Sequence, residues 1–206
     1  MTMRERDDRE LVAAAQGGDR DALDVLLRRH YDLVHAVCRR IAGGTRDADD
    51  AAQEAMIGIV RGLPRFDGRS SVSTWMYRIA TNAALDELRR RRRRPALHVV
   101  DDDGPPHEEM DPVAHRRVDA VVDRLALDDA LRRLPEEFRA AVVLRDVADL
   151  DYAEIAQVLD VPVGTVKSRI ARGRAQLVTM LGNRADPGER RKPAPPPDDP
   201  STSATT

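Results

Sequence analysis

Cysteine and aromatic side chains are scarce: 206 residues hold one cysteine, one tryptophan, three tyrosines and two phenylalanines. The lone thiol, Cys38, cannot close an internal disulfide, so a stapled extracellular framework is excluded. It lies beside Val37 and Ile41 on an apolar stripe, the setting of a buried structural thiol rather than a reactive one. No apolar run approaches the ~20 residues of a membrane span, or a signal segment, which predicts a soluble, cytoplasmic chain without membrane insertion. Period-two alternation of useful length is also missing, so no sheet is assigned. Catalytic sets are missing as well. The histidines (His30, His35, His98, His107, His115) have no cysteine partner at metal-ligand spacing, and there is neither a glycine-rich phosphate loop nor a nucleophile motif. These absences predict a binding protein rather than an enzyme, with no metal and no cofactor.

Net charge is nearly absent too, −2 from 34 basic and 36 acidic residues, but the charges are segregated. Residues 89–94 are six consecutive arginines, whereas residues 95–115 carry six acids and no lysine or arginine. Two basic surfaces and an acidic connector are hidden in the sum.

What is present is helical periodicity. A short pattern, 9–16, ends at Gly17-Gly18. Over 19–41, Leu23, Leu26, Leu27, Tyr31, Val34, Cys38 and Ile41 recur at three- and four-residue steps, predicting a long helix that stops at Gly43-Gly44. Residues 46–63 place Ala48, Ala51, Ala52, Ala55, Ile59 and Leu63 on one stripe and break at Pro64. Residues 71–93 put Val72, Trp75, Met76, Ile79, Ala83 and Leu88 inward. The expected fold is all-α: a helical module over 9–94, an acidic flexible linker over 95–118, a smaller module over 119–182, and a disordered proline-rich tail over 183–206. The smaller module takes in Leu125, Leu127, Leu131 and Leu134, then a helix opened by Pro135 with Phe138, Val142, Val143 and Val147.

Its end is the most informative part of the chain. The stretch 161–181 carries Lys167, Arg169, Arg172 and Arg174 and no acid. Val166, Ile170 and Leu177 share one face of a 3.6-residue helix, which leaves the basic face for phosphates and base edges. Upstream, 151–159 forms a second short helix with Ile155 and Leu159 inward and small Ala156 permitting close approach. Pro162 constrains the connection, and Gly164 is expected to supply its sharp turn. This is a helix-turn-helix whose second helix enters a major groove. Thr165, Lys167, Ser168, Arg169, Arg172 and Arg174 are its candidate DNA contacts.

The stretch 66–90 joins Phe66, Trp75 and Tyr77 to a Gly-Ser loop and the arginine run. That set suits a melted strand, with the loop wrapping a displaced base and cations tracking the backbone. Alternatively the aromatics anchor the loop as core, the role expected of Trp75. Ser70 and Ser71 are candidates in the loop. Arg78, Asn82, Asp86 and Arg90 repeat every fourth residue on an exposed face, and Asn82, a base-edge reader type, stands in mid-helix without a local reason.

Three motifs, Asp47-Ala-Asp-Asp-Ala-Ala-Gln-Glu-Ala, Thr74-Trp-Met-Tyr-Arg-Ile-Ala-Thr-Asn and Tyr152-Ala-Glu-Ile-Ala-Gln-Val-Leu-Asp-Val-Pro-Val-Gly-Thr-Val-Lys-Ser-Arg, occur in this order. With them the chain resembles the extracytoplasmic-function sigma factors of bacterial RNA polymerase over most of residues 9–182. The resemblance implies a first module that binds the core polymerase clamp and the minus-ten element, and a second that binds the minus-thirty-five element and the flap. It implies clamp contacts at Asp50, Gln53 and Glu54, to which the helical step adds Ile57, all expected exposed. It also implies base capture by 67–73, a minus-ten contact at Asn82, and minus-thirty-five readers at Lys167, Ser168 and Arg172. An anti-sigma factor is the off-switch it implies. Gly173 departs from the usual alanine, at a helix-propensity cost of about 1 kcal/mol. A two-domain repressor or activator is the rival reading. It needs a ligand cavity, against which the few large apolar residues of 9–94 argue.

Overall fold

The computed structural model describes residues 6–43, 45–93 and 114–185, and these form eight α-helices and one 3-10 turn with no strand among them. The all-α expectation holds. The bulk of the expected linker, 94–113, and the tail from 186 lie outside the described residues. At their margins helix replaces expected coil: one helix already begins at Ala114, and the last runs to Ala185.

Helix starts are written by acids. Helix α1 (Asp8–Gln16) opens on a capping box, with the Glu10 amide donating to Asp7 Oδ1 at 2.8 Å and the Asp7 amide to Glu10 Oε2 at 3.1 Å. Helix α2 (Arg20–Ala42) is capped by Asp19 and ends at Gly43, whose φ of 81° is the left-handed C-terminal cap glycine favours. Helix α3 (Thr45–Gly62) runs into the 3-10 turn Leu63–Arg65, where Pro64 prevents continuation. Helix α4 (Val72–Arg93) carries the arginines on its last, exposed turns. Ala48, Ala51, Ala52, Ala55 and Ile59 of α3 are all buried as predicted.

Two parts of the predicted core are corrected. Tyr31 is 47 % exposed, its ring stacked on His35 at 5.9 Å. In α4 the buried stripe is Thr74, Met76, Tyr77, Ala80, Thr81, Ala84 and Glu87 with Val72, while Trp75, Ile79, Ala83 and Leu88 are half-buried. Apolar periodicity missed this because three inward positions, Thr74, Thr81 and Glu87, are polar. Cys38 is fully buried as expected; its Sγ faces the Ala80 carbonyl at 3.6 Å, and burial pushes the thiol up to about 12.

The second half comprises α5 (Ala114–Arg133), α6 (Glu136–Asp146), α7 (Tyr152–Leu159) and α8 (Val163–Ala185). It packs on α2 and α4, and its buried residues join one continuous core with those of the first half. Polar contacts also tie the two halves. Arg139 of α6, 5 % exposed, donates to the carbonyls of Ile41, Arg132 and Leu134 at 2.7, 2.6 and 3.0 Å, closing the C-termini of α2 and α5 together. Arg39 pairs with Asp128 at 2.9 Å, Arg132 donates to the Gly43 carbonyl at 3.2 Å, and the Thr74 hydroxyl donates to Glu154 at 2.8 Å.

Candidate nucleic-acid interface

Helix α7 is fixed by a capping box: Asp151 accepts from the amides of Ala153 (2.7 Å) and Glu154 (2.8 Å), while Glu154 Oε2 accepts from the Asp151 amide (2.9 Å). Its C-terminal residue in the left-handed conformation is Asp160, φ 52°. The turn role expected of Gly164 is therefore corrected. Gly164 is helical, in the first turn of α8, and a side chain there would meet open space. Asp160 makes the bend instead, and Pro162 supplies the carbonyl that accepts from the amides of Thr165 and Val166 at 2.9 and 3.1 Å.

The expected inward face of α8 is observed: Val166, Ile170 and Leu177 are buried. Ile155 is buried in α7, with Val158 rather than Leu159 as its deepest companion. Outward, Lys167, Ser168, Arg172 and Arg174 are exposed, and Thr165 and Arg169 are half-buried. Their partners divide them. Arg174 is tied to α6: its Nε donates to Asp146 Oδ2 at 3.1 Å and its Nη2 to Oδ1. Ser168 Oγ donates back to the Thr165 carbonyl at 2.9 Å. Lys167 and Arg172 make no ion pair among the described residues, so their charge is presented outward. Lys167 instead lies 5.6 Å from the Tyr152 ring centroid, as does the Arg145 guanidinium. Neither Tyr152 nor Arg145 was singled out in the sequence; only an aromatic at the start of α7 hinted at it.

In the first half, Asp50, Gln53 and Glu54 are exposed on α3 without an ion pair among the described residues. Ile57, expected to be exposed with them, is half-buried, because the stripe begins to turn inward there. Arg78, Asn82, Asp86 and Arg90 are exposed along α4, and Asn82 has no hydrogen-bond partner among the described residues. Ser71 caps α4, accepting from the Thr74 amide at 3.0 Å. Asp67 pins Arg69 through both its amide (3.1 Å) and its guanidinium (3.0 Å). Ser70 and Ser71 line an open cleft of about 960 Å³ between this loop and the start of α1, with Asp7, Asp8, Arg9 and Arg29 on its other wall. The sequence pointed away from any cavity here, because it is built from a loop and a helix end rather than from large apolar residues. Tyr77 is buried, and burial pushes its phenol up to about 12, so it offers no stacking surface. Trp75 packs on Phe66 at 5.1 Å and anchors the loop.

Comparison with known proteins agrees with this arrangement. A model of sigma-70 region 2 matches residues 26–94, and a model of sigma-70 region 4 matches residues 124–177. The chain is 44 % identical over 178 residues to the ECF RNA polymerase sigma factor SigM of Mycobacterium tuberculosis (strain ATCC 25618 / H37Rv), covering 86 % of each chain. It is 36 % identical over 179 residues to the ECF RNA polymerase sigma-E factor of Escherichia coli (strain K12), covering 82 % of this chain and 92 % of that one. Among solved structures, CnrH in complex with the cytosolic domain of CnrY superposes with a TM-score of 0.62 at 26 % identity, over 85 % of this chain and 97 % of that chain. The sigma factor RpoE of Bartonella quintana, in complex with the anti-sigma factor NepR, shares the fold at a TM-score of 0.60 and 23 % identity, over 76 % and 94 %. These matches set aside the repressor or activator reading, and the chain belongs to the extracytoplasmic-function sigma factors, which direct RNA polymerase to promoters.

Proposed function

We propose that the two halves divide promoter recognition between them. Residues 9–94 bind the core polymerase clamp through Asp50, Gln53, Glu54 and the edge of Ile57. They engage the melted minus-ten strand through Ser70, Ser71, Arg78 and Asn82. Residues 119–182 bind the minus-thirty-five duplex through Lys167, Ser168 and Arg172, with Thr165 and Arg169 alongside; Arg174 joins them only if it leaves Asp146. The chain acts in the cytoplasm as a binding factor with no catalytic step of its own.

The observation that carries this reading is the pairing state of the surface charges. Most surface ions near the junction are matched from within, whereas Asp50 and Glu54 on one half and Lys167 and Arg172 on the other are left for partners of opposite charge. An inhibitory protein fits the same logic. The solved relatives are bound to the cytosolic domain of CnrY and to an anti-sigma factor, and such a partner here would cover the acidic α3 face or the basic α8 face.

The test is charge reversal. Asp50→Lys with Glu54→Lys should weaken binding to core polymerase by about tenfold or more, equivalent to about 1.4 kcal/mol. Helicity and thermal midpoint should hardly move, because both side chains are exposed. Core binding at the wild-type level by this double variant would show that the clamp face lies elsewhere.

A further inference from the structure

Lys167 is the first cation of α8, and its long stem gives the ammonium many positions. Nothing acidic holds it: among the described residues it makes no salt bridge. What holds it is the Tyr152 ring, whose centroid lies 5.6 Å from Nζ, within the range where the negative ring face attracts a cation. The ring itself is set from two sides. Tyr152 is the first residue of α7, and the Asp151–Glu154 capping box fixes the backbone on which it stands. Arg145 lies 5.6 Å from the same centroid and is anchored, donating to the Leu150 carbonyl at 2.7 Å. Packing does not explain the residue, since Tyr152 is 39 % exposed and its hydroxyl has no partner among the described residues.

We infer that Tyr152 is a positioning residue for duplex binding: its ring pre-sets the Lys167 ammonium at the N-terminal turn of α8, the part of a recognition helix that reaches the groove. The inference rests on the reading of Lys167 as a DNA contact. A lysine held near its bound position loses less rotamer freedom when DNA arrives, so the ring raises affinity without touching DNA. The ammonium has three N–H donors and meets a phosphate without leaving the ring, so the attraction persists in the complex, and its size corresponds to about two- to fivefold in binding. Arg172, about one and a half turns further along, has no such aromatic support among the described residues and serves as the internal comparison.

The experiment measures promoter binding by the full chain with core polymerase, across a salt series, for Lys167→Gln, Tyr152→Leu, Tyr152→Phe and Tyr152→Leu with Lys167→Gln. Lys167→Gln should weaken binding and either lower the salt slope by about one or relax discrimination at one base pair. Tyr152→Leu should weaken it about two- to fivefold at unchanged salt slope, because the lysine still makes its contact. Tyr152→Phe keeps the ring and should bind like wild type. The double variant should be no weaker than Lys167→Gln alone. If Lys167→Gln binds normally, the reading of Lys167 as a contact fails. If it binds weakly but Tyr152→Leu is silent, or adds fully to it as a general loss of folding would, the positioning role is overturned. A loss in Tyr152→Phe would make the hydroxyl a direct contact and overturn it equally.

Discussion

At the scale of single residues, Gly173 sets how closely α8 can lie on α6. A methyl group placed there would stand 2.7 Å from Val142 Cγ2 and 3.3 Å from the Phe138 carbonyl. Two effects of Gly173→Ala therefore oppose each other. Helix propensity favours alanine by about 1 kcal/mol. Overpacking against a buried, β-branched side chain that has little rotamer freedom costs about 1–3 kcal/mol. The clash should win, and Gly173→Ala should lower stability in urea denaturation. In a Val142→Ala background the nearest obstructing methyl is gone and only the tight approach to the Phe138 carbonyl remains, so the same substitution should cost clearly less. Equal effects in both backgrounds would mean that α6 simply moves aside. The sequence marked this glycine as a departure from the usual residue but gave no reason, since the reason lies 31 positions away in the chain. Arg139 was equally hidden. It sits in Phe-Arg-Ala-Ala-Val-Val-Leu, and a charge inside an apolar run was the one available sign that it closes two helix ends.

At the scale of helices, the starts and inward stripes were legible, because caps and apolar spacing are local physics. Where polar groups take inward positions, as Thr81 and Glu87 do in α4, the apolar pattern selects the wrong stripe. The bend before α8 was misassigned for a related reason: Asp tolerates the left-handed region, and here Asp160 rather than the nearby glycine adopts it. The exposed basic face of α8 was readable from charge and period alone, whereas the pairing of Arg174 with Asp146 required the approach of α6. Helix α7 is short, eight residues, so its cap matters more than it would in a long helix. Asp151→Ala should cost about 1 kcal/mol. It should also speed hydrogen exchange at the Ala153 and Glu154 amides well beyond any change in α3. Unchanged protection at those amides would show that packing of Ile155, not the cap, holds the turn.

At the scale of the whole molecule, the sequence suggested two modules that meet only through a coil, and the structure docks them. The docked face carries Arg39–Asp128, Arg132 on the Gly43 carbonyl, Arg139 on the Ile41 carbonyl and Thr74–Glu154, and it leaves Asp128 Oδ1 and Arg139 Nε buried without a hydrogen bond. The polar part of this junction holds weakly, since partly exposed ion pairs contribute little and unmatched buried polar atoms cost something, so the shared apolar core carries most of the docking. The proposed division of promoter recognition predicts that the junction opens in use. The two promoter elements implied by the family lie on the order of 50 Å apart, about one and a half duplex turns, and simultaneous binding of both by the two halves would draw those halves apart. The 20 residues from 94 to 113 reach about 70 Å when extended, so the covalent connection allows the separation. Energy transfer between dyes on Arg61→Cys and Ala175→Cys should report the change, because buried Cys38, its thiol raised to about 12, will not compete for label. The free protein should show high transfer, and binding to core polymerase should lower it. Arg39→Glu turns the attraction to Asp128 into repulsion, a change of about 1–2 kcal/mol, or roughly five- to thirtyfold toward the open form. Transfer in the free protein should fall accordingly, and Asp128→Arg added to Arg39→Glu should restore it. Low transfer in the free wild-type chain, or no response to Arg39→Glu, would show that the halves are already apart in solution and that polymerase has no docked state to open.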